Sequence, residues 1–537
     1  RLRDFRFPNG ENIRFGDSPR RSGDGYDSYE IAYALGVREG DASLQSTFGA
    51  LINLGVETGK YHRDTPRGHV SGATPYFGPL QLLWYAPTIV GKMAAPAPRT
   101  TDELGFVGAV LQRNLSPDRD PAHALMAVVS GGAHVHSHAS GMSLELFGAG
   151  YVLGTPAGKG TYTTDEHENY RRLFAAYNGV IVNGASRSDG GWVNLGISTV
   201  EKIALEPAVG AAPVCPNHSF TLTGFVDDKG PGAKAKQERL VGLVRTSPTT
   251  GYYVDVFRSQ SALPEQFHDY LYHNIGEAAS LIAATGPLPL SDSPQRFIPV
   301  AGAEWSRNRS YLFPGWHVFK SVQTSAPYAG DVAVNFSAAK LSPAPASMRL
   351  FIPGAEGREY ARALAPTTKE ASAPYDKAPT PVLIVRQRGE AWTRPFAVIY
   401  EPTAGTASGA IQSVTALGGT NAFAGFKVVS KLADHTVTQF VLVQPTAASR
   451  AWEDQALGLS FLGRYAVVTL NDRDECTSLY LGEGSAVTYK GTTLRSVSGA
   501  KTAAFADLSG PQPIVTAIAS AELTLPGGRR VVSTQPQ

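Results

Sequence analysis

From about Val107 onward the apolar residues recur mostly at every second position, in short runs cut by turn-forming residues. A period of two puts alternate side chains on opposite faces of an extended chain, so this stretch buries its apolar half by forming sheets. Strands are expected over 143–147, 178–183, 219–227, 252–258, 317–324, 332–336, 348–352, 382–386 and 396–400, then over 437–443, 465–470, 478–481 and 514–518. Turn signals such as Asn183-Gly184, Asp189-Gly190-Gly191 and Pro353-Gly354 separate many of them. The spacing suggests large antiparallel sheets packed face to face.

The first hundred residues keep a different period. Asp27, three positions before Glu30, reads as a capping-box-like start of a helix with Ile31, Ala34 and Leu35 inward. A second helix is expected from near Asp41, with Leu44, Phe48, Leu51 and Ile52 on one stripe and an end by Gly55. Residues 60–105, rich in Pro and Gly around Trp84 and Tyr85, read as a packed connector with one short helix. Two or three helices make a poor domain alone, so residues 1–105 read as the end of a larger helical domain plus connector. Residues 106–403 form the large antiparallel β-sandwich. The Ala-Gly-Thr-Ala-Ser-Gly-Ala stretch at 404–410 opens a smaller C-terminal β-module over 404–537.

Composition narrows the function classes. Hydrophobic residues make up 42% and charged ones 18%, the balance of a folded globular chain. No apolar run approaches the roughly 18 residues of a membrane span. The 48 basic and 46 acidic residues are spread thinly and leave a net charge of +2, without the dense basic stripe of a nucleic-acid binder. Such a chain still attracts a polyanion where a cleft concentrates cations. Cys215 and Cys476 fit no zinc-ribbon spacing and are expected as free thiols. No phosphate loop, GxSxG elbow or HExxH helix occurs.

The most unusual local feature is His134-Val-His136-Ser-His138, three of the chain's twelve histidines within five positions. Read as a strand, it sets all three imidazoles on one face, about 7 Å apart, too far for mutual hydrogen bonds but suited to lining a groove. The structural alternative is a polar strand edge or a satisfied core histidine.

Around this feature the order of motifs resembles the heparinase II/III-type polysaccharide lyases. Their His-x-His strand corresponds to His136-Ser-His138-Ala-Ser140-Gly-Met142-Ser143-Leu144, and the next strand and turn to Tyr151-Val-Leu-Gly154-Thr-Pro-Ala-Gly158. Asn169-Tyr170-Arg171-Arg172 and Tyr177-Asn178 follow, then Tyr253-Val-Asp255-Val-Phe257-Arg258 and His268-Asp269 through His273. Upstream, Phe7-Pro-Asn-Gly10 and Phe15-Gly16-Asp17-Ser18 look like the loop near the end of that family's (α/α) toroid, of which the N-terminal helices would be a remnant.

The resemblance implies β-elimination on a uronate-containing acidic glycan, in the periplasm or outside the cell. The C5 proton of a uronate is weakly acidic, so its removal needs the carboxylate neutralised, a base at C5 and an acid for the leaving O4. His136 takes the carboxylate-facing position. Arg171 or Arg172 would hold the carboxylate, with Asn178 and His134 as further substrate contacts. Tyr177 and Tyr170 are the candidates for proton transfer, each with a packing role as the alternative.

Some members hold a structural zinc with the second His, an Asp and a later His. Here His138 remains, but the other two positions read Thr155 and Tyr177, an insufficient set; a structural zinc would need replacements such as His134 or Glu145, and no cofactor is required. Nothing in residues 1–14 supplies the Asn/His pair and Tyr that the family draws from its toroid. Either a second helical chain carries them, the chain is a fragment whose export signal is not visible, or the site is rebuilt. The rival readings are a non-catalytic glycan-binding or assembly subunit and, from another class, a glycoside hydrolase with paired carboxylates.

Overall fold

The computed structural model describes residues 5–21, 25–57, 59, 61–63, 83–91, 99–131, 136, 138–184, 200–228, 233–297, 315–405, 408–418 and 422–533. The side chain of Asp27, the turn at 189–191 and His134 lie outside them. The chain divides into two compact units, Arg21–Pro98 and, together, Arg1–Arg20 with Arg99–Gln537.

The smaller unit contains a helical hairpin, α1 (Tyr26–Glu39) and α2 (Ala42–Glu57). Asp41 caps α2 by accepting from the backbone N–H of Ser43 and Leu44 at 2.9 and 3.0 Å. The expected face of α1 is corrected: Ile31 and Leu35 are exposed, and Tyr26, Glu30 and Tyr33 are buried instead. Glu30 is inward because its carboxylate takes both Tyr61, at 2.7 Å, and Arg63, at 2.8 Å. A partnered carboxylate displaced the aliphatic stripe.

The larger unit is antiparallel β throughout its described strands. A five-stranded meander runs in order through Thr101–Leu104, Ala109–Asn114, Leu125–Ser130, Ser143–Gly148 and Tyr151–Gly154. A nine-stranded sheet has Ala391–Ala404, Gly251–Ser261, Ala235–Arg245 and His218–Asp227 side by side. A six-stranded sheet contains Lys320–Thr324, Glu359–Thr367, Pro379–Arg388, Phe267–His273 and Val180–Val182. Beyond Ala404 an eleven-stranded sheet begins at Ile411 and carries the C-terminal module. The mainly β class with large packed antiparallel sheets holds.

Tyr272, Phe336, Leu350, Leu383 and Tyr400 are among the residues of the main core. The nine-stranded sheet is covered on its other face as well, where Leu222, Val254 and Ile399 pack with Val428, Val441 and Tyr465 of the C-terminal sheet. Burial on both faces makes Gly251–Ser261 almost uniformly buried instead of alternating. Two expected strands shrink. Only Val180–Val182 is extended within 178–183, and His317 sits in a short 3-10 turn before the strand that starts at Lys320. The first residues join the β core: Phe5, Phe7 and Ile13 pack with Met126, Val128 and Phe147. That packing brings the 15–18 loop to the meander.

Candidate active site

Leu125–Ser130 and Ser143–Gly148 are adjacent antiparallel strands with Ser130 opposite Ser143, so the chain between them must turn back at the sheet's end. Gly131 makes the tight base of that loop. A Cβ placed there would lie 1.7 Å from the Gly141 carbonyl oxygen, so only glycine fits. The loop carries His136 and His138, and at these described positions the expected strand is not found: His136 sits in a turn at φ 64°, and 138–140 have no regular structure. A left-handed backbone at a non-glycine residue costs roughly 1–2 kcal/mol and persists only where surroundings fix it. Here they do: the Asp17 N–H donates to the His136 carbonyl at 3.2 Å, and the Ala139 N–H to the Arg172 carbonyl at 2.7 Å.

The two imidazoles still meet, on a carboxylate rather than along a strand. Asp17 Oδ2 accepts from His136 Nδ1 at 3.0 Å and from the Tyr162 hydroxyl at 2.6 Å, while Oδ1 accepts from His138 Nε2 at 3.0 Å. The Tyr162 hydroxyl is also 3.0 Å from His136 Nδ1. His167 is edge-on to Tyr162, with ring centroids 4.9 Å apart, and its Nε2 lies 3.9 Å from Asp17 Oδ1. Burial of Asp17 opposes ionisation, but the bonds from His138, Tyr162 and His136 outweigh it and hold the carboxyl well below the usual range. Asp17 is therefore a fixed anion.

Exposure sorts the cluster into a supporting part and a reachable part. His138 is sealed, and the Tyr177 hydroxyl donates to its Nδ1. Burial lowers the His138 pKa against the opposing pull of Asp17, which fits a neutral ring with Nε2–H toward Asp17. His136 is 56% exposed and Tyr162 42%. Lys159, also exposed, sets its ammonium 4.5 Å over the Tyr162 ring. This open face presents a cation-capable imidazole, a phenol and an ammonium to anything that docks there.

The other residues singled out by sequence are placed differently. The Tyr177 and Tyr170 rings are buried, and burial raises both phenol pKa values, so each keeps its proton away from the open face. Among the described residues the Tyr170 hydroxyl meets no partner, and its ring packs edge-on against Phe319. Arg171 is sealed, donating to the carbonyls of Ala157 and Thr367 at 2.6 and 2.8 Å and pairing with Glu166 at 2.7 Å. Arg172 is buried and paired with Glu168. Asn178 is fully buried, accepting from the His273 N–H at 2.7 Å and donating to the Leu144 carbonyl at 3.0 Å. These buried side chains form the floor under the site. His134 lies outside the described residues.

The zinc position does not fit a metal. Both ring nitrogens of His138 are taken, and the Thr155 hydroxyl is held by the Arg20 guanidinium at 2.6 Å. Glu145, the remaining nearby carboxylate, is paired with the same Arg20. Among the described residues no three His, Cys, Asp or Glu side chains are grouped to hold an ion. Both cysteines are free thiols.

Sequence reading missed Asp17 as the hub, and with it Tyr162, His167 and Lys159. The Phe15–Ser18 loop was the one available signal for Asp17. Tyr162 sits in a Thr-rich turn with no pattern of its own.

The chain is similar to known proteins over most of its length. Residues 1–97 match the family model described as the endo-acting ulvan lyase 2nd domain, and residues 411–506 the endo-acting ulvan lyase C-terminal domain. An endo-acting ulvan lyase of Formosa agariphila is 33% identical over 506 residues, which cover 92% of this chain and 59% of that protein. The chain thus spans less than two thirds of the curated relative's length. More distant matches in shape include a heparan sulfate lyase of Pedobacter heparinus (TM-score 0.40, 11% identity, 88% of this chain and 50% of that one). A heparinase III gives a TM-score of 0.41 at 13% identity, over 80% and 49% of the two chains. The chain is thus similar to endo-acting ulvan lyases, with family models for two of their domains matching near its two ends and one alignment running over 92% of it.

Proposed function

We propose that this chain is the β-rich part of a polysaccharide lyase that cleaves a uronate-containing acidic glycan by β-elimination, with part of the catalytic set supplied from outside it. One observation carries the reading: the His136 imidazole is exposed while its Nδ1 edge is tied to a permanent anion, Asp17. A ring so held keeps its Nδ1–H on Asp17, and an imidazolium in that place neutralises a sugar carboxylate. As the C5 proton leaves, charge moves onto that carboxylate, and a donor fixed in advance stabilises the transition state more than the ground state. Lys159 adds a second cation on the same face. No cofactor enters this scheme. On this reading a helical part supplies the remaining groups, and a polymeric glycan substrate favours the periplasm or the cell exterior.

Ulvan is the first glycan to test, because the Formosa agariphila relative is named for it. Incubation of the complete enzyme with ulvan, alginate, glycosaminoglycans and gellan-type polymers is expected to raise the ultraviolet absorbance of a 4,5-unsaturated uronate on at least one of them. A flat trace on all four counts against the lyase, and binding without cleavage would support the rival glycan-binding subunit.

A further inference from the structure

We propose that Tyr162 is the acid that protonates the departing glycosidic oxygen, and that Asp17 is its positioning residue. This rests on the lyase reading and names a group that the sequence motifs do not. Among the described residues three phenols lie in or near the cluster, and two of them, Tyr170 and Tyr177, are sealed. Tyr162 is the one with both an open face and a bond to the Asp17 anion at 2.6 Å.

The turn that carries Tyr162 is built to hold it still. Gly158 and Thr163 take left-handed backbones at φ 73° and 66°. The Thr164 hydroxyl closes on the Thr161 carbonyl at 2.7 Å, and the Thr163 N–H donates to Glu168 at 3.3 Å. On one side the ring meets His167, whose Nδ1 is fixed by the Gly160 N–H at 3.1 Å. Lys159 covers one face.

The electrostatics suit an acid better than a base. Burial and the Asp17 anion push the Tyr162 phenol up to about 12, so it keeps its proton through neutral pH. Rotation about one C–O bond turns that proton from Asp17 toward a sugar oxygen. The phenolate then formed lies 3.0 Å from His136 Nδ1, which can donate to it, and beside the Lys159 ammonium.

In the step, a general base of the carboxylate, imidazole or phenolate class, outside this cluster, takes the C5 proton. The C5–H electron pair becomes the C4=C5 double bond, the C4–O4 bond breaks, and its pair stays on O4. O4 takes the Tyr162 proton, and the phenolate regains one from water.

The test compares two substrates in the complete enzyme. One is the glycan the wild type cleaves. The other is a uronide whose O4 carries a nitrophenyl group, which departs without needing a proton. Tyr162→Phe is expected to lose roughly 10²- to 10⁴-fold in kcat on the glycan, the range for general acids, and less than about tenfold on the nitrophenyl substrate. Equal losses on both, or none on the glycan, overturn the assignment. Asp17→Asn is expected to lower kcat on the glycan more than it raises KM, and to add little on top of Tyr162→Phe. Additive losses would show that Asp17 acts independently of Tyr162. A wild type that cleaves neither substrate nor any acidic glycan sinks the lyase reading itself, an outcome separate from an active wild type with an indifferent Tyr162→Phe.

Discussion

Two carboxylates in the larger unit are each ringed by a cation-capable group and a phenol, yet one cluster is closed and the other open. Asp255 receives Arg239 at 2.9 and 2.6 Å and the Tyr270 hydroxyl at 2.7 Å, and neither Asp255 nor Arg239 has any exposed side-chain surface. Asp17 receives His136, His138 and Tyr162, and two of those three partners face outward. The same functional groups that lock a sheet when sealed become chemistry when a ligand can reach them. The closed cluster also supports the open one. Arg239 donates to the carbonyls of Met142 and Asn178 at 2.5 and 2.6 Å, at the end of the histidine loop and in the floor below it.

The largest stability effect should come from the closed cluster. Arg239→Ala leaves Asp255 as an uncompensated buried charge and is expected to cost about 3–5 kcal/mol, read from denaturant unfolding. A loss below about 1 kcal/mol would erase the contrast between the clusters.

A third carboxylate sharpens it. Glu206 is buried with only the Tyr480 hydroxyl and the Val214 N–H as hydrogen-bond donors, and among the described residues no ion pair reaches it. Burial pushes its pKa up to about 7. An acid whose folded pKa exceeds its unfolded one is held protonated by the fold, so stability falls as pH rises between about 4.5 and 7, by at most about 1.4 kcal/mol per pH unit. Glu206→Gln should flatten that slope in unfolding curves taken across the window. An unchanged slope would assign the pH dependence elsewhere.

The smallest effect should be at Tyr177. Tyr177→Phe removes one hydrogen bond to His138, for about 1 kcal/mol, and should leave lyase turnover within about threefold. A collapse of turnover with intact stability would restore Tyr177 to proton transfer.

Much of the fold was legible because a period of two survives wherever one sheet face meets a core. It failed at Ala235–Arg245, which is pressed between the main core and the C-terminal sheet, shows no clean alternation and was not read as a strand. The α1 face was misread because Ile31 and Leu35 are apolar yet exposed, while a partnered Glu30 turns inward. At the site, the two histidines were visible as a local pattern, but read as a strand, since nothing local announces the left-handed turn at His136. Asp17 is 119 positions away from His136, and only the packing of Phe5, Phe7 and Ile13 under the meander brings it there. Contacts of that range leave no periodic trace.

The most direct measurement is the rate of unsaturated-uronate formation by His136→Ala alongside its thermal unfolding. His136 is exposed, so the account predicts a loss of roughly 10²- to 10³-fold in kcat with stability changed by less than about 0.5 kcal/mol. Undiminished turnover in a folded variant would contradict it.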